Sequence, residues 1–303
     1  MSLAKRKVVY RLYPSRRQLS LLSQTLRLHQ QLYNGALEHR ISAYKKHKKS
    51  IGFSQQCREL TALCHAMPEY EALNAQSCQV TLKRLDFAFQ AFFRRLKAKD
   101  KRAGFPRFKA YERYSGFGFK THGDGWKIMP GERGQHGLLR LSDIGHLKIR
   151  GKAKHIGTPK TCEIQHKQGN WYASITVECS PARPSGKEAI GIDWGLETFA
   201  TIAKHDQSTE RIENPRLLRK RLKDLRSTQR ALSRKKRGSQ NSKKSKEVVA
   251  KIHRQVANKR KDFLHQATAN MVKSSALIAV EKLNVKGMSS HGGARKKGLN
   301  REI

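Results

Sequence analysis

Apolar positions along the first hundred residues change from an alternating to a helical pattern. Residues 5–13 alternate between apolar and polar side chains, which predicts a short strand, and Pro14-Ser15 ends it and offers a helix start. Apolar residues then recur on one helical face, at Leu19, Leu22, Leu26, Tyr33 and Leu37. A second helical pattern covers residues 75–96 without Gly or Pro. We therefore expect a helical lobe over residues 15–103, with helix-turn-helix-like early helices.

Short strand patterns dominate residues 104–184. The apolar runs lie at residues 138–141, 146–149 and 171–177. The last run alternates and follows Gly169-Asn170, which indicates a β-hairpin. We expect a small β-barrel over 104–184, to which the first strand, within residues 1–14, returns across the helical insertion. A Pro-rich linker is expected at residues 181–186.

The last segment, residues 185–303, alternates between strand and helix patterns. Residues 189–193 predict a strand, residues 199–203 its hairpin partner, and residues 276–281 form a continuous apolar run typical of a buried parallel strand. Between them, residues 215–270 keep an apolar stripe that predicts a helical hairpin with its turn near 237–242. A Gly- and Lys-rich loop is expected at 289–298. This segment is therefore expected to be an α/β domain.

The charge of the chain indicates the class of its partner. There are 64 Lys and Arg residues against 23 Asp and Glu, a net charge of +41. Nineteen of the basic residues fall within residues 216–261, opposed only by Asp224 and Glu247. Such a charge is matched to phosphate, so we expect DNA or RNA as partner. The candidate phosphate contacts are Arg219, Lys220, Arg221, Lys223, Arg234, Lys235, Lys236, Arg237, Arg254, Lys259, Arg260 and Lys261.

Cysteines, aromatic residues and apolar runs restrict the possible functions less than the charge does. Five cysteines without a C-x-x-C pair predict reduced thiols rather than a disulfide framework or a local zinc site. Five aromatic residues are candidates either for base stacking or for the core: Tyr10, Tyr13, Phe105, Phe108 and Trp126. No apolar run approaches the roughly 20 residues of a membrane span, so we expect no membrane partner and a cytoplasmic location.

Two carboxylates follow apolar strand patterns. Asp193 ends the run at 189–193, and Glu281 ends the run at 276–281. A carboxylate at the end of a buried strand needs a compensating partner, and a cation supplies one. Hard oxygen ligands from two neighbouring strands suit Mg²⁺ or Mn²⁺, which assists cleavage of phosphodiesters. The alternative is that each carboxylate meets a Lys or Arg, and the spacing alone leaves both interpretations open.

Four motifs resemble the TnpB (OrfB) proteins of bacterial insertion sequences. They are Arg11-Leu-Tyr-Pro14, Gly104-Phe-Pro-Arg-Phe-Lys109, Gly191-Ile-Asp-Trp-Gly-Leu196 and Val280-Glu-Lys-Leu-Asn-Val-Lys-Gly-Met288. The resemblance implies an oligonucleotide-binding wedge β-barrel interrupted by a helical bundle, then a RuvC-like nuclease domain of the RNase H fold. It also implies a guide RNA, a DNA target, metal-dependent DNA cleavage and an association with the bacterial nucleoid.

Carried over to this chain, the resemblance makes Asp193 and Glu281 the first two catalytic and metal-binding carboxylates. The family has a third Asp further on, preceded by a four-cysteine zinc ribbon, and neither follows Glu281 here. We therefore expect a truncated relative with impaired cleavage, in which zinc would belong only to the missing ribbon. The alternative is a non-catalytic RNA- and DNA-binding protein or repressor derived from the same family.

Overall fold

The described part of the molecule divides into two compact units. A computed structural model describes residues 4–99, 103–129, 137–150, 157–180 and 186–288. The first unit is Met1–Pro181 and the second is Ala182–Ile303. The predicted linker at 181–186, apart from Gly186, and the predicted loop at 289–298 lie outside the described residues. Within those residues, no helix combines the length and apolar character needed to cross a membrane.

The first unit contains a seven-stranded antiparallel sheet in the order β2-β6-β7-β1-β5-β4-β3. Its strands are β1 (Ala4–Tyr13), β2 (Gly116–Phe119), β3 (Trp126–Met129), β4 (Leu138–Leu141), β5 (Gly145–Arg150), β6 (Thr158–Lys167) and β7 (Asn170–Cys179). The first strand lies in the middle of the sheet, where Val8 pairs with Ile175 of β7 and Leu12 with Ile149 of β5. As described, β2 and β3 are the two ends of the sheet, and its closure into a barrel stays a prediction.

The turn between β6 and β7 shows why the hairpin signal in the sequence is reliable. Gln168 and Gly169 both have positive φ angles, 50° and 74°. Two consecutive residues with positive φ form the type of tight turn whose twist matches that of the flanking strands. The paired strands continue from Lys167 opposite Asn170 back to Thr158 opposite Glu178.

Four helices lie between β1 and β2 in the chain: α1 (Arg16–His47), α2 (Phe53–Ala66), α3 (Pro68–Glu71) and α4 (Ala75–Lys97). The first begins where Pro14-Ser15 predicted it. The Ser15 hydroxyl accepts a hydrogen bond from the Gln18 backbone N–H at 3.3 Å, and the Gln18 side chain accepts one from the Ser15 N–H at 3.0 Å. This reciprocal pair satisfies two backbone donors at the start of the helix. Lys48, in the left-handed conformation, ends it.

Helices α1 and α4 share their core with the sheet through a buried histidine. The ring nitrogens of His29 lie 2.9 Å from the Thr81 hydroxyl and 3.1 Å from the Ser77 hydroxyl, and its ring stacks on Phe117 at 5.1 Å. Burial lowers the pKa of His29 to about 3, so the ring is neutral. Its hydroxyl partners explain how a polar ring is accommodated at the centre of this core.

The second unit contains a four-stranded sheet in the order β10-β9-β8-β11. Its strands are β8 (Glu188–Trp194), β9 (Thr198–Lys204), β10 (Thr209–Glu213) and β11 (Ser275–Val280), and its helices are α5 (Leu222–Ser233), α6 (Gln240–Ser274) and α7 (Val285–Met288). The sheet packs on α6 through a small buried cluster of Ile190, Ile192, Ala200, Ile202 and Met271. Strand β8 is antiparallel to β9 and parallel to β11.

A turn at residues 234–239 separates the two long basic helices. Gly238 has a φ of 86°, a conformation that favours glycine, and the Ser239 hydroxyl then caps α6 by accepting from the Ser242 N–H at 3.1 Å. Leu225 of α5 and Val256 of α6 are buried. The apolar stripe of the basic segment thus gives each helix a packed face and leaves its charged face in solvent.

The predicted burial of the last strand is wrong for the described residues. Strand β11 is parallel to β8, but the side chain of Leu277 is 64% exposed and that of Val280 is 58% exposed. The reason is its position, since β11 forms one end of the sheet and pairs only with β8 among the described strands. A continuous apolar run shows that a strand is suited to burial, but it does not show that other parts of the molecule cover the strand.

Candidate metal centre and basic helical surface

The strand register brings the carboxyl ends of β8 and β11 together, where Asp193 and Glu281 are found. In the parallel pair, Ala279 of β11 is opposite Gly191 of β8, and Val280 is opposite Ile192. This is the last pair, and the same register continued by one residue would bring Glu281, just beyond the end of β11, opposite Asp193. Neighbouring strands lie about 4.8 Å apart, so two carboxylates at this level can reach one ion. The sequence interpretation required this juxtaposition but could not establish which strands are neighbours.

The two faces of β8 have different environments. Ile190 and Ile192 are buried on the side of α6, and because side chains alternate along a strand, Asp193 lies on the opposite face. Gly191 shares that face, and a Cβ atom built on it would meet no atom within 4 Å. Asp193 and Glu281 are both exposed. The carboxylate face of the sheet is therefore open to a large ligand in the described part of the molecule.

Neither carboxylate has an ion-pair or side-chain hydrogen-bond partner among residues 4–99, 103–129, 137–150, 157–180 and 186–288. The alternative in which each one meets a Lys or Arg thus finds no support in those residues. Hard carboxylate oxygens suit Mg²⁺ or Mn²⁺. The described residues hold no group of three or more His, Cys, Asp or Glu side chains placed for a metal. The candidate ligand set is the pair itself.

The loop after Asp193 has a fixed conformation. Gly195 donates its N–H to the carbonyl of Phe199 at 3.3 Å, and a Cβ atom on Gly195 would lie 2.6 Å from the Thr198 carbonyl oxygen. Only glycine therefore fits there without a shift of the backbone. The Asn214 side chain then ties this loop to the one after β10, because it donates to the Leu196 carbonyl at 2.8 Å. Sequence reasoning did not single out Asn214.

The same Asn214 side chain also holds a strained residue. Its oxygen accepts the backbone N–H of Arg216 at 3.0 Å, and Arg216 has a φ of 45°. A non-glycine residue in this left-handed region costs of order 1 kcal/mol or more and persists where its surroundings fix it. The bracing by Asn214 thus sets the path of the chain that leads into the basic helices.

The predicted phosphate contacts lie on the solvent side of the second unit. Arg254 is half-buried, and the other eleven candidates are exposed. Arg221 forms an ion pair with Asp224 at 2.8 Å, which makes it a weaker candidate than its neighbours. Exposed cations on two packed helices form a surface that can follow a nucleic-acid backbone. Which of these exposed basic residues contact phosphate stays a prediction.

The aromatic candidates fall into two groups. Tyr10 and Trp126 are each only 2% exposed and belong to the core, so stacking of bases on them is excluded. Tyr13, Phe105 and Phe108 are exposed. A large, rigid side chain in a strand pattern is equally suited to a core and to a surface, and only the fold decides between them.

A cavity of about 550 Å³ opens beside the loop that follows Asp193. Trp194 and Phe263 line it from either side of Phe199, whose ring lies edge-to-face with both, at 5.2 and 4.9 Å between centroids. Arg216, Arg219 and Arg260 also line it, together with Leu283 and Met288 among others. None of the described residues that line it is acidic. Of these, sequence reasoning found only Arg219 and Arg260. The i, i+3, i+4 spacing of Arg260, Phe263 and Leu264 on α6 is the signal that was available.

Comparisons with known proteins agree on one family. Residues 172–291 match the family model OrfB of IS605, described as a probable transposase, and residues 1–49 match the accompanying helix-turn-helix domain. In the structure, the described part of residues 1–49 holds strand β1 and the single continuous helix α1 rather than two helices joined by a turn.

Two curated relatives are similar over most of this chain. A Streptomyces pristinaespiralis protein named "Putative RNA-guided DNA endonuclease" is 28% identical over 96% of this chain and 70% of its own length. The Escherichia coli K12 protein named "Putative RNA-guided DNA endonuclease InsQ" is 31% identical over 76% of this chain and 56% of its own length. The chain thus spans little more than half the length of the second relative.

A solved structure shares the fold. It is the cryo-EM structure of the Cas12f1-sgRNA-target DNA complex, which covers 99% of this chain and 86% of that chain with a TM-score of 0.59 and 11% sequence identity. At this identity the likeness concerns the fold alone. The arrangement of strands and helices in this chain is therefore one already known among solved proteins.

Proposed function

Because the chain belongs to the OrfB (TnpB) family of insertion-sequence transposases, we propose that it binds a guide RNA and a DNA target and that its second unit is a RuvC-like, RNase H-type nuclease domain. The observation that supports the proposal is the parallel register of β8 and β11, which ends at Val280 opposite Ile192 and, continued by one residue, would bring Glu281 to the level of Asp193. In open α/β sheets, ligands bind outside the carboxyl ends of the strands. Both carboxylates stand at such ends.

The two carboxylates are suited to hold a divalent ion at a polyanion-binding surface. Asp193 and Glu281 would hold Mg²⁺ or Mn²⁺ through their carboxylate oxygens. When bound, the ion would stabilise negative charge on the phosphodiester oxygens and lower the pKa of a ligated water. The open face around Gly191 leaves room for the sugar-phosphate backbone.

The basic helices would hold that backbone in place. Residues 216–261 carry nineteen Lys and Arg residues and two acidic ones, and the predicted contacts among them face solvent. Binding through these residues should weaken by roughly 0.9 log units per log unit of salt for each duplex phosphate neutralised. The charge also suits a nucleoid-associated, cytoplasmic protein, which is part of this proposal.

We assign the first unit to the wedge β-barrel and the helical lobe of such proteins, with a lobe over residues 15–103 and a barrel over 1–14 and 104–184. The central position of β1 supports this, since a strand that precedes four helices in the chain pairs with β5 and β7, which follow them. The helices are thus an insertion in the sequence of the sheet.

Metal binding and nucleic-acid binding can be tested separately on the 303-residue protein. Asp193→Asn and Glu281→Gln should each weaken Mn²⁺ binding, followed by electron paramagnetic resonance, at least tenfold, because a ligand charge is lost. Both variants should retain the affinity for RNA and DNA in fluorescence anisotropy. Asp206→Asn is a matched control, since it removes one exposed charge from a loop of the same unit.

The outcome also decides the second candidate function. The described residues offer a pair of carboxylates rather than a group of three, which favours a binding protein without cleavage. Strong nucleic-acid binding with no Mn²⁺ site at Asp193 would establish that candidate. Cleavage of a matched target in Mg²⁺ by the chain, abolished by Asp193→Asn, would establish the nuclease and refute the expected impairment.

A further inference from the structure

We infer that Arg211 is the phosphate-binding residue of the candidate metal centre, where its guanidinium group holds an oxygen of the phosphate group that meets Asp193 and Glu281. This inference rests on the proposed function, because it adds a residue to the same site. Neither the sequence motifs nor the comparisons assign a role to Arg211. It lies on β10, outside the basic segment 216–261 that contains the other candidate phosphate contacts.

Arg211 lies in the same row across the sheet as Asp193. On the central strand β9, Thr201 is opposite Asp193 of β8 on one side and opposite Arg211 of β10 on the other. Residues that are directly opposite in neighbouring strands project to the same face of a sheet. Two strand spacings separate the backbones of Arg211 and Asp193, a distance of about 10 Å. The long Arg211 side chain can therefore reach a phosphate group that is held at Asp193.

The neighbouring rows show which face this is. Ala200 and Ile202, which flank Thr201 on β9, are both buried in the cluster that packs on α6. Because side chains alternate along a strand, Thr201 and its partners Asp193 and Arg211 project from the opposite face. Arg211 is also exposed. Its guanidinium group thus belongs to the carboxylate face of the sheet and not to the side of α6.

The surface beside this row is formed by small side chains. The next row on the same face consists of Thr209, Ala203 and Gly191, and a Cβ atom on Gly191 would meet no atom within 4 Å. No large side chain of this row stands in front of Asp193 or Arg211. In the described part of the molecule, a bulky phosphate ester can therefore approach both residues together.

The charge of Arg211 is free to act on an anion. Glu210, its neighbour in sequence, lies on the α6 side, where its carboxylate is 3.7 Å from the Lys204 ammonium group. Glu213, two residues further along β10, follows a register shift and forms no ion pair with Arg211. No other described residue pairs with Arg211 either. A planar guanidinium group binds phosphate oxygens through two parallel hydrogen bonds, which makes a phosphate its best-matched ligand.

Arg211 complements the two carboxylates electrostatically. Carboxylates attract a metal ion but repel a phosphate group, so the pair alone offers an anion little attraction. A guanidinium group two strands away adds that attraction without occupying the position of a metal ligand. Fixed cations of this kind also stabilise charge that develops on a reacting phosphate. The contact serves a phosphodiester that is cleaved and one that is only bound, so binding is the quantity to measure.

Dimethyl phosphate, a minimal phosphodiester anion, tests this inference on the intact protein in the presence of Mn²⁺. The phosphorus relaxation rate of this anion rises when it lies close to the paramagnetic ion, so anions bound elsewhere on the basic surface contribute little. Arg211→Gln should raise the concentration for half-maximal relaxation roughly tenfold, because charge-assisted hydrogen bonds are lost. Arg211→Lys keeps the charge but not the planar group, and it should restore part of the affinity.

A second measurement separates phosphate binding from a structural role. In the absence of phosphate, the Mn²⁺ affinity of Arg211→Gln, followed by electron paramagnetic resonance, should stay unchanged or rise, because a like charge near the ion is removed. The matched control is Lys204→Gln, which removes a cation from the same sheet on the side of α6. It should leave the relaxation of dimethyl phosphate unchanged.

Each result has a defined meaning. Equal affinity for dimethyl phosphate in Arg211→Gln and the unaltered protein, with Mn²⁺ bound at Asp193, would overturn the inference and leave the proposed function standing. An equal loss in Lys204→Gln, or weaker Mn²⁺ binding in Arg211→Gln, would also overturn it, since the effect would then be general or structural. Mn²⁺ binding that Asp193→Asn does not weaken would refute the proposed metal site and this inference together.

Discussion

The two units are stabilised in different ways. In the first unit, a single buried cluster joins the sheet to α1, α2, α3 and α4 and includes large side chains such as Phe117 and Trp126. In the second, the buried cluster is limited to a few residues between the sheet and α6, beside an opening of about 440 Å³. The second unit also carries the candidate site and the densest charge. Among the described residues, the first unit thus has an extensive buried core, whereas the second combines a small core with a dense surface of like charges that repel one another.

The largest expected effect is a loss of stability on truncation of a ring in the core of the first unit. Phe117 is fully buried, stacks on His29 and contacts Phe119 edge-to-face at 6.0 Å. Phe117→Ala should lower the free energy of unfolding of the first unit by about 3–5 kcal/mol, because it removes a large ring and leaves a cavity. Urea denaturation followed by the fluorescence of Trp126 and Trp171, in a Trp194→Phe background, reports this unit alone.

The control for this prediction is Phe87→Ala, which truncates a ring that is 57% exposed on α4. It should cost well under 1 kcal/mol, the usual range for surface substitutions. An equally small effect of Phe117→Ala would show that the first unit lacks the tightly packed core that separates it from the second.

The scaffold was also the easier part to predict from sequence. The alternation at residues 5–13 and the helical spacing from Leu19 to Leu37 each reflect one buried face, and both elements appear as β1 and α1. The spacing of apolar residues within one helix or strand follows from its buried face, so the sequence pattern is enough to predict the element. The partner of a strand is not local, and it was the sheet order that showed β1 between β7 and β5.

Only those parts of the candidate site that lie within a single sequence motif could be predicted from the sequence. Asp193 and Glu281 each follow an apolar run, so their chemistry is visible in the sequence. The cavity combines three distant segments, around Trp194, Phe263 and Leu283, and no periodicity relates them. Tyr10 and Trp126 illustrate the same limit, since an aromatic residue suits either environment until the fold places it.

A smaller effect should appear as the pH is lowered. The pKa of His29 is about 3 in the folded state and 6.5 in an unfolded chain, so folding favours the neutral ring. The stability due to neutral His29 is complete above pH 6.5 and is lost as the pH falls from 6.5 towards 3. At up to about 1.4 kcal/mol per pH unit, the first unit should lose about 2 kcal/mol between pH 7 and pH 5.

Urea denaturation at several pH values, in the same tryptophan background, measures this loss. His29→Gln keeps a hydrogen-bonding group near Thr81 and Ser77 but does not titrate, so the slope should become shallower. His166, whose pKa is also lowered by burial, contributes to the slope that remains. A slope that His29→Gln leaves unchanged would mean that His29 is not buried as a neutral ring.

The smallest expected effect concerns a feature that both units share, a serine that caps the start of a long helix. Ser15 caps α1 in the first unit and Ser239 caps α6 in the second, each by accepting a backbone N–H near the start of a long helix. Ser15→Ala and Ser239→Ala should each lower the free energy of unfolding by about 1 kcal/mol, because one backbone donor loses its partner.

Only Ser15→Ala should shift the unfolding reported by Trp126 and Trp171. Ser239→Ala should instead shift the thermal transition of a Trp126→Phe, Trp171→Phe variant, in which Trp194 is the reporter. If Ser239→Ala shifted the first unit's transition equally, the two units would unfold as one, and the separation of scaffold from polyanion-binding unit would not extend to their stability.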